Sequence, residues 1–143
     1  MTYLDANVFI YAAINNDEKG DLCREILRKL AFKKIKGHTS FLTWDEIVYI
    51  IRKNKDKETA IKEGKNFLKF PNLSLLKIDE KIINKAQEII ENYNLKPRDA
   101  IHVATALVNG INEIISDDPD FDKIKDIKRI KLEDFSKRLR TLT

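Results

Sequence analysis

The sequence contains little cysteine, glycine or proline, and it has no long apolar run. Its single cysteine, Cys23, excludes an internal disulfide and a cysteine-based metal site. The apolar runs are far shorter than the roughly 20 residues that a transmembrane helix needs. The N-terminus lacks the basic segment, apolar stretch and small-residue cleavage site of a secretory signal. We therefore expect a cytoplasmic protein that does not cross a membrane.

The composition is that of one globular domain. The chain has 143 residues, of which 43% are hydrophobic, and no linker-like segment or internal repeat divides it. A chain of this size buries about 70% of its unfolded surface, so a single domain over residues 1–143 is expected. Lysine and arginine number 27 against 23 acidic residues, which gives a net charge of +4. This mildly basic balance permits a nucleic acid as partner but does not require one.

The apolar residues alternate between strand-like runs and helical periodicity. The pattern predicts strands at residues 3–4, 73–78, 114–115 and 129–132. It predicts a first helix that includes residues 8–10, and further helices at residues 22–30, 47–51, 60–68, 82–93 and 97–108. Asp79 is placed to cap the helix at 82–93, Pro97 suits a first helical turn, and Gly110 follows a helix end. Such alternation within one domain predicts an α/β fold with a mainly parallel sheet.

Acidic residues occur where the predicted strands end and the predicted helices begin. They are Asp5 after the first strand, Glu46 and Asp99 at helix starts, and Asp117 and Asp118 after the strand at 114–115. In an open parallel sheet, the crevice beyond the carboxyl ends of the strands is where ligands bind. We therefore expect these side chains to converge in one pocket.

A pocket of carboxylates has an electrostatic cost, which indicates what it binds. Two unit charges about 4 Å apart repel by about 4 kcal/mol at an effective dielectric constant of about 20. The acids must therefore share a proton or bind a cation. Oxygen ligands without cysteine or clustered histidine favour Mg²⁺ or Mn²⁺ over Zn²⁺. Such a centre suits phosphodiester hydrolysis, and the basic surplus would hold a nucleic-acid backbone.

Each acid also has a purely structural interpretation. Thr43 and Glu46 match a capping box at a helix start. Asp118 directly precedes a proline and is a natural N-cap, while Asp99 is placed to complement a helix dipole. An acid at the edge of an apolar strand, as at Asp5, is costly unless it is paired or liganded. The prediction of a site therefore depends on the joint placement of the acids.

Four segments resemble the sequence motifs of PIN-domain proteins, and they occur in the order of that family. These segments are Leu4–Ala12, Trp44–Ile47, Pro97–Ala106 and Ile114–Asp122. In the last of them, Ser116 precedes an acid by two positions, as it does in the family. The likeness extends to the VapC-type toxins of bacterial and archaeal toxin–antitoxin pairs.

The resemblance implies a Rossmann-like α/β/α sandwich and an endoribonuclease that depends on Mg²⁺ or Mn²⁺, leaving a 5′-phosphate and a 3′-hydroxyl. It also implies RNA as substrate and a homodimer that a small antitoxin protein neutralises. Carried over by motif, the catalytic and metal-binding acids are Asp5, Glu46, Asp99 and Asp118, with Asp117 as a further candidate metal ligand. The supporting residues are Asn7, Ser116 and Asp122. Arg98 is a candidate substrate-binding residue for a different reason: it lies next to Asp99, where it would contact a phosphate or neutralise the acids.

Two features depart from the family pattern. Ala6 stands where many relatives have threonine or serine, so one hydroxyl is missing. The adjacent Asp117 and Asp118 leave the fourth acid open, although the spacing from Ser116 favours Asp118. Nearby, His102 follows Asp99 by three positions on nearly the same helix face, and we expect it to be partly buried and hydrogen-bonded.

Three other functions stay open at this point. A phosphatase of the haloacid-dehalogenase type would use Asp5 as nucleophile, but it needs a second aspartate where this chain has Asn7. A housekeeping RNA-processing nuclease would share the predicted acidic site. A catalytically silent module on the same fold would bind only a metal or a protein partner.

Overall fold

The computed structural model describes residues 1–32 and 35–142. The strands are β1 (Thr2–Leu4), β2 (Gly37–Ser40), β3 (Leu73–Leu76), β4 (Glu113–Ile115) and β5 (Lys128–Ile130). The α-helices are α1 (Ala6–Ile14), α2 (Glu18–Ala31), α3 (Leu42–Asn54), α4 (Lys57–Leu68), α5 (Glu80–Asn92), α6 (Pro97–Val108) and α7 (Leu132–Thr141). A 3-10 helix spans Pro119–Lys123. No described helix is long and apolar enough to cross a membrane.

The strands form one sheet in the order β3-β2-β1-β4-β5, and every pairing within it is parallel. The central strand β1 pairs with β2 on one side and with β4 on the other. Leu4 of β1 is in register with Ile115 of β4. Asp5 and Ser116, the next residues of the two segments, therefore leave the same edge of the sheet side by side. The prediction of an α/β fold with a mainly parallel sheet is confirmed.

Helices cover both faces of the sheet. Leu4 and Ile115 point to the face that packs against α1, α2, α3, α4 and α7. Tyr3 and Ile114 point to the opposite face, which packs against α5, α6 and the 3-10 helix. Neighbouring strand residues serve different cores because successive side chains of a strand point to opposite faces. The result is the predicted α/β/α sandwich, and Cys23 lies buried in the first of the two cores.

Capping residues mark several of the helix starts that the sequence predicts. Asp79 accepts a hydrogen bond from the Ile82 N–H at 3.1 Å, and α5 begins at Glu80, the residue after Asp79. Pro97 occupies the first turn of α6. Gly110 follows the end of α6 with a φ of 75°, a left-handed conformation that glycine adopts without strain. Local chemistry therefore sets these boundaries.

The capping box predicted at Thr43 and Glu46 is wrong. Helix α3 already begins at Leu42, and its N-cap residue makes no side-chain hydrogen bond to the helix. The buried Thr43 hydroxyl pairs instead with the Thr39 hydroxyl at 2.7 Å. Because Glu46 has no capping role, its carboxylate is available to the edge of the sheet. Helix α7 was not predicted, although Leu132, Phe135 and Leu139 recur at helical spacing along it.

Candidate metal centre

The carboxyl edge of the sheet opens into a cleft with a volume of about 640 Å³. Its acidic lining comes from three separate segments of the chain. Glu46 lies in α3, Asp99 lies in the first turn of α6, and Asp118 lies between β4 and the 3-10 helix. The parallel topology therefore brings together residues that are far apart in the sequence.

Asp99, Asp118 and Asp120 form the tightest acidic cluster in the described part of the chain. One carboxylate oxygen of each lies within 4.8 Å of those of the other two, and all three residues are half-buried. Asp118 caps the 3-10 helix by accepting a hydrogen bond from the Asp120 N–H at 2.9 Å. Its predicted capping role and its place in the cleft are therefore compatible. Asp120 was missed by the sequence analysis, and its position two residues after Asp118 was the available clue.

Ser116 links the acid after β1 to the segment after β4. Its hydroxyl donates a hydrogen bond to Oδ2 of Asp5 at 2.6 Å. Its Oγ accepts hydrogen bonds from the Asn7 amide at 3.2 Å and from the Asp118 N–H at 3.0 Å. The other carboxylate oxygen of Asp5 accepts from the Ala6 N–H at 2.7 Å, so Asp5 also caps α1. The Asn7 amide oxygen is buried and has no hydrogen-bond partner within the described residues.

Glu46 reaches the interior through a buried histidine. Its Oε1 is hydrogen-bonded to Nε2 of His102, which has no exposed side-chain surface. The Nδ1 atom of His102 lies 2.6 Å from the Tyr3 hydroxyl. The same Nε2 lies 3.9 Å from Oδ1 of Asp5. His102 is therefore hydrogen-bonded, as expected, but it is fully rather than partly buried.

Burial makes ionisation of the central acids unfavourable. It raises the pKa of Asp99 to about 6, and the negative charges of Asp5 and Asp118 contribute to this shift. Burial also raises the pKa of Asp5, although the His102 charge and the hydrogen bond from Ser116 oppose this effect. A bound cation would favour the ionised form of both aspartates.

The surroundings of His102 favour its charged form, whereas those of Asp5 and Asp99 favour the neutral form. Burial lowers the pKa of His102, but its interactions with Tyr3, Glu46 and Asp5 outweigh the burial, and the pKa is well above its ordinary value. A buried histidine with a raised pKa therefore lies against Glu46 and near Asp5.

Asp117 points to different partners from Asp118. Its Oδ2 accepts a hydrogen bond from Lys19 Nζ at 2.7 Å and one from the Tyr11 hydroxyl at 3.1 Å. Among the described residues it does not belong to the cluster of acids that could hold a metal, whereas Asp118 does. The chain bends at Asp117, shortly after β4, and the two neighbouring carboxylates have different partners.

Two separate ion pairs lie around the acidic cluster: Asp122 pairs with Arg129, and Arg98 pairs with Asp45. Asp122 accepts two hydrogen bonds from Arg129 at 3.0 Å each, and the Arg129 guanidinium also donates to the Ser116 carbonyl at 3.2 Å. Arg98 lies at the rim of the cleft, with Nη2 3.5 Å from Oδ2 of Asp45. Asp122 thus supports the Ser116 segment from outside the acidic cluster, and Arg98 faces the opening.

Known proteins resemble this chain in sequence and in structure. A family model described as the PIN domain matches residues 2–127. Ribonuclease VapC2 of Methanocaldococcus jannaschii is 25% identical to the chain over 142 residues, which cover 91% of this chain and 93% of that protein. Both matches extend over most of the chain, and the residues matched by the family model include the four acidic motifs.

Two solved structures have the same fold. VapC20 of Mycobacterium tuberculosis, a toxin that cleaves the sarcin–ricin loop, has a TM-score of 0.75 at 14% identity, covering 90% of this chain and 98% of that one. A toxin–antitoxin complex from Klebsiella pneumoniae has a TM-score of 0.63 at 19% identity, covering 89% and 95%. The resemblance read from the motifs is confirmed, and the chain belongs to the PIN-domain family.

Proposed function

We propose that this protein is an endoribonuclease that depends on Mg²⁺ or Mn²⁺ and is the toxin of a toxin–antitoxin pair. The observation that carries the proposal is the meeting of Asp99, Asp118 and Asp120 at the carboxyl edge of the sheet. Carboxylates this close repel each other unless a proton or a cation offsets their charge. The relative named as a ribonuclease supports RNA as the substrate class.

The donor set in the cleft fits a hard divalent cation. The acidic cluster offers carboxylate oxygens, which Mg²⁺ and Mn²⁺ prefer over nitrogen and sulfur. The proposed metal ligands are Asp5, Glu46, Asp99 and Asp118, with Asp120 as an additional acid. The fourth acid is assigned to Asp118 because the Asp117 carboxylate is occupied by Lys19 and Tyr11.

Neighbouring residues orient the acids by hydrogen bonds, and burial controls the protonation of Asp99. When bound, Mg²⁺ supplies an activated water and stabilises the charge on the departing oxygen of a phosphodiester. Ser116 orients Asp5 by donating to Oδ2, and Asn7 in turn donates to the Ser116 hydroxyl. Asp99 is protonated below a pH of about 6, and binding of a cation to its carboxylate releases that proton.

The cleft offers cationic side chains for an RNA backbone. Lys96 and Arg98 line it beside the acids. The ion pair of Arg98 with Asp45 is exposed, with 58% and 51% of the two side chains accessible. Exposed ion pairs contribute about 0–1 kcal/mol, so Arg98 can exchange Asp45 for a phosphate at little cost. We assign Arg98 to substrate binding on this basis.

Apolar residues on the surface support the proposal that the chain binds a protein partner. Trp44, Ile61 and Leu68 line a shallow groove between α3 and α4, and 42–50% of each residue is exposed. Contiguous exposed apolar surface is typical of protein-binding sites. The Klebsiella pneumoniae structure of similar fold is a toxin–antitoxin complex. A small antitoxin protein and a second copy of this chain are the proposed partners.

Cleavage of RNA by the purified protein tests the catalytic part of the proposal. We expect cleavage with Mg²⁺ or Mn²⁺, complete loss with EDTA and recovery when the ion is restored. Asp99→Asn should abolish cleavage, whereas the matched variant Asp126→Asn, which changes an exposed aspartate near β5, should remain fully active. Cleavage that persists in EDTA or in Asp99→Asn would contradict a metal mechanism.

Expression in a bacterial host tests the toxin role. We expect the wild-type protein to arrest growth and Asp99→Asn to leave growth unchanged. Co-expression of a small protein encoded directly upstream should restore growth and co-purify with the chain. RNA cleavage without growth arrest would favour the housekeeping nuclease instead.

A further inference from the structure

His102 lies at the centre of a buried chain of hydrogen bonds. One ring nitrogen, Nδ1, is 2.6 Å from the Tyr3 hydroxyl, and the other, Nε2, is hydrogen-bonded to Glu46. Nε2 is also 3.9 Å from Oδ1 of Asp5. Tyr3 and His102 are completely buried. A single ring therefore connects Tyr3 in the interior of the sheet to Glu46, which lines the cleft, and lies close to Asp5.

We propose that Tyr3 and His102 are positioning residues that hold the Glu46 carboxylate towards the metal centre. Tyr3 sets the orientation of the imidazole ring, and the ring directs Glu46. The inference rests on the proposed function, because it assigns Glu46 to the metal site.

The directions of the hydrogen bonds follow from the groups involved. An ionised carboxylate accepts hydrogen bonds but cannot donate them, so Nε2 of His102 carries the hydrogen that points at Glu46. Nδ1 pairs with the Tyr3 hydroxyl: it donates to the Tyr3 oxygen when the ring is protonated and accepts from the hydroxyl when the ring is neutral. Turning the ring over would place carbon atoms where both nitrogens now lie. Both hydrogen bonds would be lost at a buried position, so the Tyr3 contact locks the ring.

Glu46 is the acid that most needs such support. Its side chain is longer than that of an aspartate, and holding it in one conformation costs more rotamer entropy. The hydrogen bond from His102 restricts that freedom before any ligand arrives. The Nε2–H also lies between Glu46 and Asp5, where it reduces the repulsion between the two carboxylates.

His102 acts through Glu46 rather than by binding the ion itself. Both of its ring nitrogens have hydrogen-bond partners, and the ring has no exposed surface from which to reach the cleft. Removal of a hydrogen-bonding partner behind a metal ligand typically weakens metal binding by about 10–100-fold. We expect His102 to belong to this class.

Titration of the full-length protein with Mn²⁺, monitored by calorimetry, tests the inference. His102→Leu removes both hydrogen bonds at similar volume and should weaken Mn²⁺ binding by about tenfold or more. His102→Gln places an amide donor near the position of Nε2 and should restore binding to within about threefold of the wild type. In a protein that already carries Glu46→Ala, adding His102→Leu should change the Mn²⁺ affinity by less than about twofold, because the residue through which His102 acts is absent.

Two further variants separate positioning from general destabilisation. Val103→Ala, at the next position of α6, removes buried apolar volume and should lower the melting temperature without changing Mn²⁺ affinity. Tyr3→Phe removes one hydroxyl and should weaken Mn²⁺ binding about threefold to tenfold, again only when Glu46 is present. This variant decides the question if His102→Leu does not fold.

The outcomes distinguish this inference from the proposed function. Wild-type affinity in His102→Leu or Tyr3→Phe, or an equal loss in the Glu46→Ala background, would overturn the positioning role. If Asp99→Asn lost Mn²⁺ binding at the same time, the metal centre itself would stand. A wild-type protein that bound no Mn²⁺, or an Asp99→Asn variant that bound it normally, would overturn both.

Discussion

The Ser116 hydroxyl donates a hydrogen bond to the Asp5 carboxylate at 2.6 Å, although 111 positions separate the two residues in the sequence. The pairing of Leu4 with Ile115 in β1 and β4 causes this contact. In this chain Ser116 supplies a hydroxyl to Asp5 from the neighbouring strand.

Ser116→Ala should weaken both folding and catalysis. The change leaves one oxygen of the buried Asp5 without its hydrogen bond and the Asp118 N–H without its acceptor. We expect a loss of about 1–3 kcal/mol in the free energy of unfolding, measured by urea denaturation. RNA cleavage should fall by about 10–100-fold. Ser74→Ala, in the edge strand β3, is the matched control and should leave cleavage unchanged.

Asp118→Asn and Asp117→Asn should have different effects. Asp118 belongs to the acidic cluster, whereas Asp117 is paired with Lys19 at 2.7 Å. Asp118→Asn should abolish detectable cleavage, and Asp117→Asn should retain it within about tenfold because an exposed ion pair contributes little. Cleavage rates with saturating Mn²⁺ decide between them. The reverse pattern would assign the fourth acid to Asp117.

Metal binding should depend on pH through Asp99. Burial, together with the charges of Asp5 and Asp118, raises the pKa of Asp99 from 3.8 to about 6. Because the ion binds the ionised form, Mn²⁺ affinity should fall by up to about tenfold for each pH unit below about 6 and level off above about 7. Calorimetric titrations across this range measure it. An affinity that did not change with pH would contradict the raised pKa.

The same pKa shift should make the metal-free protein less stable as the pH rises. Between a pH of about 4 and about 6 the folded state binds more protons at Asp99 than the unfolded state does, so the free energy of unfolding decreases with pH. Asp99→Asn removes this contribution. Urea midpoints in EDTA should therefore decline more steeply with pH in the wild type than in the variant. Parallel curves would show that Asp99 titrates normally.

Saturating Mg²⁺ or Mn²⁺ should raise the melting temperature of the wild-type protein. An ion that binds only the folded state contributes about 2.7 kcal/mol at a concentration of 100 times its Kd. For a domain of this size, at about 2–4 °C for each kcal/mol, that corresponds to an increase of roughly 5–11 °C. Asp5→Asn and Asp99→Asn should fold normally but gain less. Absence of a shift in the wild type would count against the metal centre.

Motifs with a local cause could be predicted from the sequence. Asp79 caps α5 and Pro97 starts α6 because each acts on the backbone within a few residues. The placement of acids at strand ends and helix starts predicted one pocket, and Asp99 and Asp118 both line the cleft at the carboxyl edge of the sheet. Thr43 and Glu46 have the spacing of a capping box, but α3 begins at Leu42 and the Thr43 hydroxyl pairs with Thr39 of β2 instead.

Contacts between distant segments could not be predicted in this way. The sequence places Asp120 in an acid-rich stretch but does not show that its carboxylate reaches Asp99. It places His102 on the helix face of Asp99 but not between Tyr3 and Glu46. These contacts depend on strand register and helix packing, which join residues that the chain separates by dozens of positions.

The sequence by itself determined the α/β class, the family and the set of acids at strand and helix ends, because apolar periodicity, capping and motif spacing act over short stretches of chain. The tertiary structure decided which carboxylates meet, that Asp117 turns to Lys19, and that a buried histidine lies beneath Glu46. The physical reason is that charge repulsion, burial and hydrogen bonding depend on distances in space. The order of strands in the sheet sets those distances.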